Sequence, residues 1–233
     1  MKRKYKTLRV EKEYARTISA MNRTGILTLL PRSEELGVIG IDGKEYPVPT
    51  QEKLQEVFAR NRELVDRKMR QGFTQLQLTP IAMPTSQLID RVKTAVLTHW
   101  SVGLIEPIPI MPQQGQGKII GGRKQLEEYS TPRDYLRILS TPTYQGETGW
   151  TPEDFLTHFI TQLETTNQVS HDRHDRNALW LLGSYMPNSM PKAKLVPVGY
   201  WDRDAGRRIR LSAHRTGNRL RTWVARSTVR LGT

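Results

Sequence analysis

The densest set of potential metal ligands in the sequence is His171-Asp172-Arg173-His174-Asp175-Arg176. Two histidines with interleaved aspartates supply imidazole and carboxylate donors, but Arg173 and Arg176 set like charge beside any cation, and no further ligand cluster closes a shell. The run reads as a polar loop or helix end, and no metal is expected. Gly115-Gln116-Gly117-Lys118 and Gly121-Gly122-Arg123 bring glycines next to basic side chains. Neither has the Gly-x-x-x-x-Gly-Lys-Ser/Thr spacing, or the strand-then-helix setting, in which backbone N–H groups cradle a phosphate. Five histidines and scattered serines form no nucleophile-and-base arrangement, and no paired carboxylates stand out. The absence of cysteine excludes thiolate nucleophiles, thiolate metal sites and disulfides. The chain therefore reads as non-enzymatic, with no catalytic residue and no cofactor expected.

What remains is charge and its placement. The net charge is +13, from 36 Lys and Arg against 23 Asp and Glu, a balance that ordinarily points to a polyanionic partner. Its distribution argues otherwise. From Tyr200 onward there are nine arginines (203, 207, 208, 210, 215, 219, 221, 226 and 230) against Asp202 and Asp204, so +7 of the +13 falls in the last 34 residues. A nonspecific phosphate-binding tail mixes Lys with Arg and needs no spaced tryptophans or apolar alternation. This tail has no Lys and has both of the latter.

The tail's alphabet is unusual in a second way. It contains no Lys, Glu, Gln or Met, although the preceding 199 residues hold 12, 14, 13 and 7 of them. A compositional bias of that size asks for a cause. All four are encoded only by codons ending in a purine, whereas every other residue type in the tail except Trp201 and Trp223 can be written with a terminal pyrimidine. This is the set produced when Asn-type codons are varied at their first two bases and the third is left alone. Read as a surface, Trp201 and Trp223 would be anchors, Ala205, Ile209, Leu211, Ala213, Val224, Val229 and Leu231 would be packed, and the polar positions between them would face out together.

With those residues in view, Gly199-Tyr200-Trp201, Ala205, Arg210-Leu211-Ser212-Ala213-His214-Arg215, Asn218-Arg219 and the run from Trp223 to Arg230 resemble the C-terminal variable region of proteins diversified by diversity-generating retroelements. The likeness covers about the last 35 residues, and residues 150–199 look like the lead-in of one such target group. The resemblance implies a C-type-lectin fold of the formylglycine-generating-enzyme type. It also implies a scaffold formed by Trp201, Ala213, Trp223 and Arg226. The variable, ligand-contacting positions it implies are Arg203, Asp204, Arg207, Arg208, Arg210, Ser212, His214, Arg215, Thr216, Asn218, Arg219, Arg221 and Thr222. The family's upstream Trp-Asp-Leu-Ala-Gly-Asn-type motif is not present, which implies an abbreviated module. The catalytic cysteines of formylglycine-generating enzyme have no counterpart, so its activity does not carry over.

The elements that must position these residues follow from periodicity. Residues 1–22 carry apolar residues near helical spacing. Residues 25–30 and 36–41 read as short strands, and Asp42-Gly43 is a hairpin turn into 44–48, which together make a small β-meander. Thr50 caps a helix over 51–71, and a second helix is expected from 85 or 86 to Trp100. The Pro-Ile-Pro-Ile-Met-Pro and Gln-Gln-Gly-Gln-Gly stretch between 106 and 122 has the composition of a linker or long loop. Thr131-Pro132 and Thr151-Pro152 each place a capping hydroxyl before a first-turn proline, the second opening a helix to about Asn167. Residues 178–185 are an apolar run that fits a helix turn or a buried strand, and 195–201 and 223–231 read as strands.

The expectation is an α+β chain. Residues 1–110 form an N-terminal accessory domain, a small α/β-meander unit. Residues 111–122 are a linker or long loop, and 123–233 a C-type-lectin-like ligand-binding domain with its variable region at 200–230. The partner expected is a protein or glycan ligand, with nucleic acid as the alternative. Residues 6–18 are too charged for a signal peptide and no stretch of about 20 apolar residues is present for a membrane span, so a cytoplasmic protein is the default expectation.

Overall fold

The computed structural model describes residues 27–29, 38–39, 45–46, 49–83, 96–108, 110–172, 178–184, 195–204 and 208–231. The helix expected over 1–22 lies outside them. The chain is α+β. Its first part runs β1 (Leu27–Leu29), β2 (Val38–Ile39), β3 (Glu45–Tyr46), α1 (Gln51–Arg60), α2 (Arg62–Arg70), β4 (Gln75–Met83) and β5 (Val96–Ile105). There follow β6 (Ile119–Ile120), β7 (Arg123–Lys124), α3 (Pro132–Leu139), β8 (Glu147–Gly149) and α4 (Pro152–Thr166). Last come β9 (Ala178–Trp180), β10 (Leu195–Asp202), β11 (Arg208–Arg215), β12 (Trp223–Ala225) and β13 (Ser227–Leu231). Among the described residues no helix is long and apolar enough to cross a membrane.

The helices begin where side chains satisfy their first N–H groups. The Thr50 hydroxyl accepts from the Lys53 N–H at the start of α1. Thr131 with Asp134, and Thr151 with Asp154, form reciprocal capping boxes around Pro132 and Pro152. The expected helix over 51–71 is divided at Asn61, whose amide donates to the Val57 carbonyl at 2.8 Å and closes α1 before α2 starts. α4 stops at Asn167, which takes the left-handed conformation at φ 54°.

Two sheets carry the fold. The first has the order β1-β4-β5-β13-β8, and the second β11-β10-β9-β12. β5 and β13 lie on either side of residues 111–122 in sequence and pair antiparallel within the first sheet. Met111 is buried, and the Gly117 N–H donates to Glu127 at 2.8 Å. β12 and β13 are separated only by Arg226, so the chain steps from one sheet to the other at that residue.

Two expectations are corrected, and one segment the sequence leaves unassigned is a strand. Residues 96–100 are strand rather than the end of a helix. Trp100, Val102 and Leu104 alternate into a core with Leu76 and Leu78, and partners on both edges make β5 a central strand. The meander is smaller than expected: β2 pairs with β3, but β1 runs parallel to β4. The segment 72–84, unassigned from sequence, holds β4. Its Gln75, Gln77 and Thr79 read as polar yet are buried, and Asp154 offers partners to two of them: Gln77 donates to its carbonyl at 3.0 Å and Thr79 to its carboxylate at 2.9 Å.

The first sheet packs Leu76, Leu78, Val102, Leu104, Val229 and Leu231 against Leu54, Val57 and Val65 of α1 and α2. A buried ionic group fastens the same layer. Glu147 accepts from Lys68 at 2.7 Å, from Arg123 at 2.8 Å twice, and from Ser227 at 2.7 Å. Arg123 also pairs with Glu106 at 3.0 Å and lies over the Phe73 and Tyr144 rings. Burial pushes the Glu106 carboxyl up and the Lys68 ammonium down from their ordinary values.

Candidate functional site

The second sheet holds the tail, and its frame is aromatic. Residues directly opposite across a β-pair share a face. Tyr200 lies opposite Arg210, Val198 opposite both Ser212 and Trp180, Val196 opposite His214, and Ala225 opposite Trp180. On that face Trp180 and Trp223 approach to 4.9 Å between ring centroids, Tyr200 meets Trp223 at 5.8 Å, and His214 stands edge-on to Trp223 at 4.9 Å. The other face is pressed against α4. Gly199 lies directly beneath the Phe155 ring, and Trp201 stacks on Phe159 at 5.7 Å with a 20° interplanar angle.

Arg226 anchors the step between sheets. Its guanidinium lies over the Trp150 ring at 5.5 Å and donates to the Ile108 carbonyl. Trp150 in turn donates from its indole to the Ser227 carbonyl at 3.2 Å and from its backbone to Arg226 at 3.1 Å. Burial pushes Arg226 down to about 10, which leaves it charged near neutrality. Beside it, burial with the Arg226 charge depresses His158 to about 3, so that imidazole is neutral. His171 sits against the rings of Trp150, Phe155 and His158. Among the described residues no group of three or more His, Cys, Asp or Glu side chains could hold a metal ion. His174 and Asp175 lie outside them.

Over this frame the tail's polar residues take three settings. At the end of β10, Asp202 accepts from the Asp204 N–H at 3.2 Å and pairs with Arg210 at 3.0 Å, while Arg203 grips Asp172 at 2.8 and 2.7 Å. Along β11, Ser212 and Arg215 are exposed and Arg210, Ala213 and His214 half-buried, and Arg208 opens the strand. In the turn that follows, Gly217, Arg219 and Arg221 are exposed, and Asn218 and Thr222 half-buried. Arg219 lies over the Tyr129 ring at 5.4 Å and pairs with Asp134 at 3.6 Å. The Thr131 hydroxyl and N–H beside Asp134 hold that carboxyl below its ordinary value. Arg207 and Ala205 lie outside the described residues.

Two positions depart from expectation. Thr216 is only 8% exposed and accepts from Arg133 at 3.3 Å, because the turn folds onto α3. Leu211, expected to pack, is 50% exposed, because β11 is the edge of its sheet. Trp223 and Arg226 are buried and Trp201 half-buried.

Asp172, Tyr129, Arg133 and Asp134 touch the tail, and the sequence does not announce them as its partners. Asp172 stood in the polar run considered for metal, and Asp134 in a capping box. Neither pattern tells which distant guanidinium a carboxylate will meet. Compared with protein-family models, curated proteins and solved structures, the chain gives no match.

Proposed function

We propose that this chain is a non-enzymatic ligand-binding protein whose segment 200–230 is a hypervariable surface diversified by a retroelement. One observation carries the reading. The stretch whose residue alphabet departs from the rest of the chain is also the stretch that forms an exposed edge strand and its flanking turns. Side chains there can be exchanged at small cost, since surface substitutions away from special features usually fall within about 0.5 kcal/mol. The residues beneath them are buried, Trp180 and Trp223 in the second sheet's core and Arg226 at the step between the two sheets. Arg, Asn, Asp and Ser at the outward positions supply hydrogen bonds, and Arg is enriched among binding hot spots. The ligand class is a protein or glycan. The C-type-lectin-like assignment of this module rests on the likeness of the tail residues.

Within this reading Thr216 and His214 belong with the frame, and the contacting set narrows to Arg203, Asp204, Arg210, Ser212, Arg215, Asn218, Arg219, Arg221 and Thr222, to which the sequence adds Arg207 and Arg208. The test is genomic. A near-copy of the coding segment for residues 200–230, differing mainly at adenines and lying next to a reverse transcriptase gene, is expected. A locus with no such copy removes the diversification.

A second reading has its own observation: Arg215, Arg219 and Arg221 are exposed close together around one turn. A nucleic-acid interface there predicts affinity for a duplex or single strand that falls steeply with added salt and vanishes on deleting the tail. Salt-insensitive or absent binding excludes it.

A further inference from the structure

A cleft of about 320 Å³ opens between residues 124–130, α3 and the short turn Pro142–Tyr144. Its volume is at the lower end of the roughly 300–1,000 Å³ that small-molecule sites span. The cleft is braced by the chain's own hydrogen bonds. The Tyr135 hydroxyl donates to the Glu127 carbonyl, and the Tyr144 hydroxyl to the Lys124 carbonyl at 2.6 Å. From the loop before it, the Gly117 N–H donates to the Glu127 carboxylate at 2.8 Å, and the Gln125 N–H donates back to the Lys118 carbonyl at 2.9 Å. A site held in this way has little freedom left to lose on binding.

The groups on the cleft select its ligand. Leu126, Tyr135 and Tyr144, all buried, and the half-buried Ile138 give it apolar surface. Its two charged lining residues, Lys124 and Glu127, pair with each other at 2.8 Å, so the cleft presents no net charge to an ion. Both keep hydrogen-bonding capacity. An ammonium has more donors than Glu127 engages, and a carboxylate more acceptor positions than Lys124 and Gly117 fill. Ser130 and Thr141 add hydroxyls. A small neutral molecule with hydroxyls around its rim and C–H groups on its faces, a sugar ring, matches all of these at once. A nucleobase needs an open aromatic face to stack on, and Tyr135 and Tyr144, 0% and 7% exposed, offer none. We propose that this cleft binds a neutral sugar, the end residue of a glycan ligand. The inference rests on the ligand-binding reading and narrows the ligand from protein or glycan to glycan. The cleft lies outside 200–230 yet adjoins the tail: Ser130 follows Tyr129, over whose ring Arg219 lies at 5.4 Å, and Tyr135 follows Asp134, which pairs with Arg219. It is thus a constant subsite beside a surface whose side chains are exchanged.

The probes are the methyl glycosides of glucose, galactose, mannose and N-acetylglucosamine, with glucuronate and adenosine as contrasts, each added to the full chain and read by saturation-transfer NMR. At least one neutral glycoside should receive saturation at its ring C–H protons, and bind more tightly than either contrast. Lys124→Ala should weaken it at least about tenfold, the loss of one hydrogen bond to a charged group. Thr141→Trp, at an exposed position, fills the cleft and should abolish binding. Both variants should keep the parent's thermal midpoint. If Thr141→Trp does not fold, Lys124→Ala decides the matter alone, since it removes only an exposed ion pair of small worth. No binding of any neutral glycoside, a preference for glucuronate or adenosine, or binding unchanged by either substitution in the folded protein would each overturn the proposal. None of these outcomes bears on whether a template copy exists, so the two readings fail separately.

Discussion

At Gly199 a single added carbon would stand 2.6 Å from the Phe155 ring, closer than real Cβ contacts allow. The residue is glycine because β10 and α4 approach so closely there that no side chain fits between them. Gly199→Ala must push α4 off the sheet, and overpacking of this kind costs about 1–3 kcal/mol. Urea denaturation measures it directly. Leu211→Ala, one position across the strand pair from Gly199, removes a half-exposed side chain and should change stability by less than about 0.5 kcal/mol. That contrast between facing residues distinguishes a rigid frame from an exchangeable surface. A stable Gly199→Ala protein, or a strongly destabilised Leu211→Ala protein, contradicts it.

At the scale of elements, α4 is tied in through one carboxylate. Asp154 completes the capping box with Thr151, accepts from Thr79 of β4 at 2.9 Å and pairs with Arg230 of β13. Removing the cap alone, in Thr151→Ala, should cost about 1 kcal/mol. Asp154→Ala should cost about 3–5 kcal/mol, since it also leaves the Arg230 guanidinium without its carboxylate and the buried Thr79 hydroxyl without its acceptor. Equal losses in the two variants by denaturation would refute that role. What could be read in the sequence follows the same division. Thr131-Pro132 and Thr151-Pro152 announce their helices because a cap is a local device, complete within four residues. The strands β9, β10 and β13 showed as apolar runs. β4 is illegible in the sequence because its buried residues include Gln75, Gln77 and Thr79, and Asp154, the partner of the last two, lies 75 or more residues away. β5 is hidden in the sequence because the apolar positions running into it fit helical spacing, and only its two strand neighbours decide the matter. In the tail, the alphabet marked the segment and the tryptophans marked its anchors. That Leu211 faces out and Thr216 in depends on which strand is the edge and on where α3 lies, neither of which local pattern encodes.

For the whole molecule, the neutral His158 beside Trp150 and Arg226 couples stability to pH. Its folded value is depressed from 6.5 to about 3. The unfolded chain therefore binds a proton below about 6.5 that the fold does not, so its contribution is full above that pH and is lost as pH falls toward 3. The slope is up to ~1.4 kcal/mol for each pH unit in that window. Glu106, whose carboxyl burial pushes up, acts in the opposite sense, favouring the fold below its ordinary 4.5 and losing that contribution as pH rises. Comparing His158→Phe with the parent chain at each pH from 4.5 to 7.5 cancels the shared Glu106 effect. The difference in unfolding free energy should be steep below pH 6.5 and flat above, and a difference independent of pH would show that His158 is protonated within the fold.

The account's central claim, that a fixed frame carries exchangeable side chains, is tested most directly by deep sequencing of the coding segment for residues 195–231 in a growing population of the source. Variation should fall at first and second codon bases of Arg203, Asp204, Arg210, Ser212, Arg215, Asn218, Arg219 and Arg221, with the codons for Trp201, Trp223 and Arg226 unchanged. Invariance throughout, or changes spread evenly across frame and surface, would contradict it.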